Sequence, residues 1–344
     1  MGAPETGICY QRAEPLCHSL NQPQFLAWAV GGQWPYTLFT DKLSRSIQIG
    51  ERAYSLAQEQ NDTALIIGGN GGFACTFYFL GDFESARQYA RRGLQIWRSG
   101  NVQAHAGAQD YLSPVVPSLI FGALSEWHLG EIATCHALMD EAFSIANGLK
   151  DMNSLAMALS FAAFLAYYTR DPAEVDRFAS ELIELSTRHN FAFWLADAEN
   201  HRGWARSASG DTAAGISWIE QRIRDLRATG TVLGLPAELA RKAEALYLAD
   251  RTSEALGAID EAEALAERFE NRYWCAELRR LRALFLAAMG VDEAQIEASF
   301  QAAISTAKEQ KSISLEKRAE GTYAEYRRQK ASGLGGRGFR LPLC

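Results

Sequence analysis

Residues 63–74 read TALIIGGNGGFA, and Gly69, Gly71 and Ala74 match the G-x-G-x-x-G/A spacing that brings backbone N–H groups against a pyrophosphate. That chemistry needs a strand before the glycines, a helix after them and a strand–helix alternation that continues. Here LGDFESA follows at 80–86, no alternation continues, and no Lys-Ser or Lys-Thr stands where a nucleotide P-loop needs one. Other reactive residues do no better. His128, Cys135 and His136 lie near one another, but in no zinc-ligand spacing. Cys9 and Cys17 have nothing beside them to complete a site, and neither a G-x-S-x-G elbow nor an H-E-x-x-H run occurs. Asp260, Glu261 and Glu263 sit among basic residues, as on a solvated helix face. The expectation is a non-enzyme with no catalytic set, no cofactor and no metal ion.

Composition narrows the class further. Of 344 residues, 48% are hydrophobic and 22% charged, which is the profile of an ordered chain. A net charge of −7 argues against direct contact with nucleic acid, which needs clustered Lys and Arg to displace counterions. The six cysteines form no C-x-x-C pair, a pattern of reduced thiols that points to the cytoplasm. The opening MGAPETGICYQRAEP lacks the basic and apolar regions of a signal peptide, and the longest apolar run, LAMALSFAAFLAYY at 155–168, is too short to span a bilayer. No membrane partner is expected.

The elements that carry these residues repeat. Helix-forming segments are punctuated by similar turns: LGDFESA at 80–86, LGEIATC at 129–135, SGDTAAG at 209–215 and LADRTSEA at 248–255. With weaker copies the turn residues are Asp41, Gly81, Gly130, Arg170, Gly210, Asp250 and Gly290, spaced by 40 except for one interval of 49. A fixed period of this size marks a solenoid. Seven positions before the last six turn residues come Ala74, Ala123, Ala163, Gly203, Ala243 and Ala283, all small. Five positions after the turn residue come Ser46, Ala86, Cys135, Val175, Gly215 and Ala255, mostly small. Helices packed antiparallel need small side chains where their backbones approach. Each unit is therefore a helical hairpin, helix A before the turn and helix B after it, and GGNGGFA falls inside helix A of the second.

The turn G-D-F-x-x-A with its flanking small residues resembles the tetratricopeptide repeat, lengthened from 34 residues to 40. Segments such as YQRAEPLCHSLNQPQ at 10–24, ERAYSLAQEQNDTAL at 51–65, SLAMALSFAAFLAYYTRDPAEV at 154–175, HNFAFWLADAENHRGWA at 189–205 and NRYWCAELRRLRALFL at 271–286 look more specifically like the C-terminal repeat region of large bacterial signalling ATPases and adenylate/guanylate cyclase-type regulators. That resemblance covers residues 3 to about 330. It implies an all-α fold, an α-α superhelix of about seven hairpins, and a role in signal transduction or transcriptional regulation. No GxxxxGK[ST] loop or acidic metal site precedes the repeats, so the family's ATPase or cyclase activity does not carry over.

In that architecture helix A lines a concave groove where partners dock. Three positions before the turn residues stand Leu38, Tyr78, Trp127, Tyr167, Ser207, Tyr247 and Ala287; with Trp204, the aromatic ones are candidate anchors for a peptide, the competing role being packing between repeats. Arg202, Lys242 and Arg282 recur at 40-residue intervals, with Arg206, Arg241, Arg279 and Arg280 close by. They form a candidate anion-binding stripe for an acidic partner, unless they pair with Glu199, Glu238, Glu244 and Glu277 on their own helices. The expected function is an interaction or sensor module that takes a protein or peptide segment in the groove. The alternative is a small-molecule-sensing fragment of a signalling ATPase or cyclase.

Two stretches break the pattern. Residues 97–117 hold Gly100, Gly107, Pro114 and Pro117, so a loop and a late helix start near Ser118 are expected. The final helix A, expected at 312–328, has no helix B after it, and the glycine-rich 331–344 is expected to be an irregular tail, disordered or non-native.

Overall fold

Local capping sets the helix boundaries. Asp62, Asp82, Asp151, Asp171, Asp211 and Ser312 each accept a hydrogen bond from the N–H three residues ahead, satisfying one of the donors a helix start leaves open. At the other end, Gly81, Gly130, Arg170, Gly210, Asp250 and Gly290 all take positive φ, which closes helix A and turns the chain back. Asp41 departs from this row, with an extended backbone at φ −133°.

The computed structural model describes residues 2–100 and 113–332. Among them are sixteen α-helices, and no strand. The first, α1 (Pro4–Ser19), leads into a short 3-10 turn and seven hairpins. These are α2 (Leu26–Thr40) with α3 (Leu43–Glu59), α4 (Thr63–Leu80) with α5 (Phe83–Arg98), α6 (Val116–His128) with α7 (Ile132–Leu149), and α8 (Met152–Tyr168) with α9 (Pro172–His189). Then come α10 (Ala192–Ala208) with α11 (Thr212–Ala228), α12 (Leu235–Leu248) with α13 (Thr252–Phe269), and α14 (Cys275–Met289) with α15 (Glu293–Glu309). The last, α16 (Ile313–Ala331), is a helix A with no helix B after it among the described residues. The fold is an all-α, tetratricopeptide-like superhelix. Of the expected loop at 97–117, residues 101–112 lie outside the described residues, as does nearly all of the expected tail. Helix α6 starts at Val116, two residues before Ser118, with Pro117 in its first turn where a missing N–H costs nothing.

Both small rows are buried throughout. In the fifth hairpin they face one another at Gly203 and Gly215: a Cβ on Gly215 would lie 2.3 Å from the Gly203 carbonyl oxygen and 2.0 Å from Ser207 Oγ. The glycine run of α4 has the same use. The indole of Trp34 is slotted against Gly50 and Gly72, where added Cβ atoms would come within 2.6 and 2.8 Å of the ring, and Gly69 lies under Tyr54. These glycines admit rings between helices and make no phosphate loop.

Successive turns of the superhelix touch. The Phe39 carbonyl, in the last turn of α2, accepts from the N–H groups of Val232 at 2.8 Å and Leu233 at 3.3 Å, in the connection between the fifth and sixth hairpins. Forty residues on, the Phe79 carbonyl accepts from Arg272 at 2.8 Å and Tyr273 at 3.1 Å, in the next connection. The third contact is made by side chains: Ser312 Oγ lies 2.8 Å from His128 Nδ1, and Ser314 Oγ donates to the Trp127 carbonyl at 2.5 Å. This seam closes the superhelix on itself.

Packing at the Gly203–Gly215 crossing gives a sign reversal to test. Gly215→Ala should lower stability by about 1–3 kcal/mol, because overpacking against backbone outweighs the gain in helix propensity. Gly257→Ala, in α13 with open space around it, should raise stability by about 0.4–1 kcal/mol. Urea denaturation of both variants checks the pair.

Candidate functional site

The A helices, which are the even-numbered elements from α2 to α16, form the inner layer, and the seam leaves their inward faces packed on one another across the axis. The whole row three positions before the turns is buried: Leu38, Tyr78, Trp127, Tyr167, Ser207, Tyr247 and Ala287 are each 7% exposed or less. Trp204 is buried as well. The anchors expected to stand free in an open groove are thus core side chains in this closed superhelix. Tyr78 and Tyr168 join their hydroxyls, Tyr168 stacks on Trp274 with ring centroids 4.6 Å apart, and Tyr78 meets Tyr273 at 5.2 Å. Tyr273 and Trp274 belong to the connection held on Phe79, so the seam carries two rings into the axis.

The basic row departs from expectation in another way. Arg202 pairs with Asp176 at 3.0 Å, Lys242 with Glu220 at 2.8 Å, and Arg282 with Asp260 at 2.5 Å and Glu263 at 2.7 Å. Each bridges its helix A to the preceding helix B, and none pairs with the acids of its own helix. Of those acids Glu199 is exposed, while Glu238, Glu244 and Glu277 are buried. The Glu244 carboxylate accepts from Tyr167 Oη at 2.6 Å, Trp204 Nε1 at 2.9 Å and Arg170 Nη1 at 2.6 Å. Glu277 accepts from Arg280 Nε at 2.9 Å and Nη2 at 2.8 Å, and also from Arg170. Arg318 of α16 donates to the Tyr168 carbonyl, and its Nη1 lies 3.5 Å from Glu277 without making a hydrogen bond. Burial pushes the Glu277 carboxyl up, but Arg280, Arg318 and Arg170 hold it well below the usual range. Arg318, buried beside two other guanidiniums, is pushed down to about 10.

A second polar cluster lies alongside. Asp197 accepts from Ser160 Oγ at 2.5 Å and faces Arg222 at 3.3 Å and His201 at 3.4 Å. The serine hydroxyl donates to the carboxylate and makes no hydrogen bond to the imidazole, which is not the arrangement of a nucleophile relay. His128 stacks on Phe83 at 3.7 Å, Cys135 is buried and His136 exposed. Among the described residues no three His, Cys, Asp or Glu side chains could together hold a metal ion.

Sequence reasoning missed the inward acids as partners of Arg170. That residue stands in the turn row, where glycine is usual, and at φ 63° it projects its guanidinium across the axis to α12 and α14. The signal was its departure from glycine.

No family model matches the chain. An uncharacterized protein of Rhizobium meliloti (strain 1021) is 26% identical over 203 residues, which is 59% of this chain but 20% of that protein. The chain therefore spans only a fifth of that relative's length. Among solved structures, the Rap conjugation gene regulator of plasmid pLS20, in complex with the Phr* peptide, is similar over 98% of this chain and 99% of that one, with TM-score 0.54 and 10% identity. Bacillus thuringiensis PlcR, in complex with the peptide PapR7 and DNA, covers 73% of this chain and 84% of its own, with TM-score 0.44 and 16% identity. These likenesses are of fold.

Arg170→Ala should cost about 3–5 kcal/mol, since it leaves two buried carboxylates short of a partner, whereas Arg170→Ala with Glu244→Gln and Glu277→Gln should recover part of the loss. Chemical denaturation at neutral pH measures both. The buried imidazoles add a pH dependence. Burial, with Arg318 for His128 and Arg241 for His201, holds both below the ordinary histidine value, so the unfolded chain binds the extra protons. Stability should be full above pH about 6.5 and fall below it, by up to about 1.4 kcal/mol per pH unit for each histidine. In a pH series of melting curves, His128→Asn should flatten that fall.

Proposed function

We propose that this chain is a non-enzymatic regulatory module that takes up an extended peptide or protein segment on its inner helix row, in signal transduction or transcriptional regulation. The observation that carries the reading is the likeness over nearly its full length to a gene regulator whose structure holds a peptide. The inner face supports it chemically: aromatic rings and fixed guanidinium and carboxylate groups alternate there, as suits a segment with mixed side chains. A closed seam fits binding that begins with parting of the turns. We further propose a cytoplasmic setting, in keeping with the free thiols of Cys9, Cys17, Cys75, Cys135 and Cys275.

A second reading has one observation in its favour. The Rhizobium meliloti relative is five times the length of the matched region, as expected if such repeats serve as the regulatory part of a larger signalling ATPase or nucleotide cyclase. That arrangement suits a small-molecule effector.

Display selection of random peptides on the immobilised full chain tests the first reading. Enriched peptides should bind with micromolar or better affinity and protect the inner helices from hydrogen exchange more than the outer ones. Absence of enrichment, or protection confined to the B helices, overturns it. A metabolite that raises the melting temperature of a chain that selects no peptide favours the second.

A further inference from the structure

Five guanidiniums and four carboxylates share the interior: Arg170, Arg222, Arg241, Arg280 and Arg318 against Asp197, Glu238, Glu244 and Glu277. Most of their donors are bonded within the group, and Arg241 is the one of these five arginines with two donor atoms left without a partner.

Arg241 is 1% exposed. Its Nη1 donates to both oxygens of Glu238, at 3.0 and 2.9 Å, while Nε and Nη2 have no partner. The guanidinium lies over the rings of Phe164 and Tyr167, with centroids 4.7 and 4.8 Å from Cζ. What remains is one edge with two parallel N–H donors. The same chain shows what fits such an edge: on α14, Arg280 uses its Nε and Nη2 to hold both oxygens of the Glu277 carboxylate, at 2.9 and 2.8 Å. Both arginines have a glutamate three residues earlier, but Glu238 sits end-on at Nη1 and leaves the side-on position vacant. A planar carboxylate matches that position; a point anion uses only one of its donors at a time.

We propose that the free edge of Arg241 is a carboxylate-binding site on the inner surface, which receives an acidic side chain or the C-terminal carboxylate of the bound segment when the 272–274 connection lifts from Phe79. The proposal rests on the peptide-binding reading and adds the chemistry of the ligand. The connection is the natural cover: Tyr273 packs against Phe164 at 6.3 Å and Trp274 against Tyr167 at 5.8 Å, the two rings under the Arg241 guanidinium, and the connection is held in place by the two seam hydrogen bonds to Phe79. The neighbouring indole N–H of Trp274 is buried and unpartnered too, a further donor on the same connection.

The test uses the full chain and four pools of fluorescent degenerate hexapeptides, with a central Glu or Gln and a free or amidated C-terminus. Pools carrying a carboxylate should bind about tenfold or more tightly than the Gln, amidated pool, and whichever carboxylate carries the preference identifies its source. The double variant Glu238→Gln/Arg241→Gln removes the pair without stranding a charge, and in it the preference should vanish. Should that variant not fold, Arg241→Lys keeps the charge but loses the paired donors, and the preference should fall likewise. Equal binding of all pools, or a preference that survives these substitutions, overturns the site and leaves the peptide-binding reading standing. If no pool binds, sodium acetate decides against sodium chloride at equal ionic strength. A rise in melting temperature that needs Arg241 upholds the site while the peptide reading fails; no rise overturns the site.

Discussion

The last carbonyls of an α-helix have no donor within the helix, and those of Phe39 and Phe79 are met by N–H groups four hairpins further along the chain. The connection after the fifth hairpin lies on the turn of the first, and the connection after the sixth on the turn of the second. An open solenoid keeps its concave face wet. Here successive turns are in contact, so polar groups on the A helices must find partners in the chain itself. The interior of the molecule follows from that constraint.

Aromatic rings take most of the axis, and the charged groups among them are bonded to one another across repeats. Glu244 illustrates the demand: its two oxygens accept a phenol, an indole and a guanidinium, drawn from α8, α10 and the turn after α8. Buried ion pairs of this kind are weak contributors to net stability, because desolvation offsets much of the attraction. They are strongly directional, however, and fix which repeats meet. Arg170 alone ties the fourth hairpin to the sixth and seventh, and Arg318 brings α16 onto the fourth. The seam supplies few backbone bonds, each contributing about 1 kcal/mol. Closure therefore depends on many modest contacts that are made or lost together.

Much of the fold was legible because it is local. The 40-residue period, the hairpins, the turn row and both small rows are fixed by contacts within a repeat or between neighbours, and they recur in the sequence at constant spacing. The interior was not legible, because the contacts that define it join distant repeats and depend on how tightly the superhelix winds. The basic row shows the scale of the difficulty. Lys242 and Arg241 are adjacent in sequence but about 100° apart around the helix. Lys242 therefore reaches Glu220 outside while Arg241 lies over Phe164 and Tyr167 inside. A periodic argument selected the members that recur every forty residues, and regular recurrence marked the outer bridges. The interior arginines, 241 and 280, keep no exact register.

Departures from the repeat pattern thus carry information that the pattern does not. At the turn positions 81, 130, 210 and 290 the chain uses glycine, which takes positive φ without steric cost. Arg170 takes the same conformation with a side chain, at a cost of about 1–2 kcal/mol. The cost is offset only if the side chain does something a glycine cannot, and its guanidinium bonds both Glu244 and Glu277. Asp250, the other non-glycine at positive φ in the turn row, has a short polar side chain of the kind that adopts this conformation readily and needs no such explanation. Arginine has no such local reason to be there. The turn row of a repeat protein can thus be read for residues that break its own rule, and in this chain the reading leads from one turn to the charged centre of the superhelix.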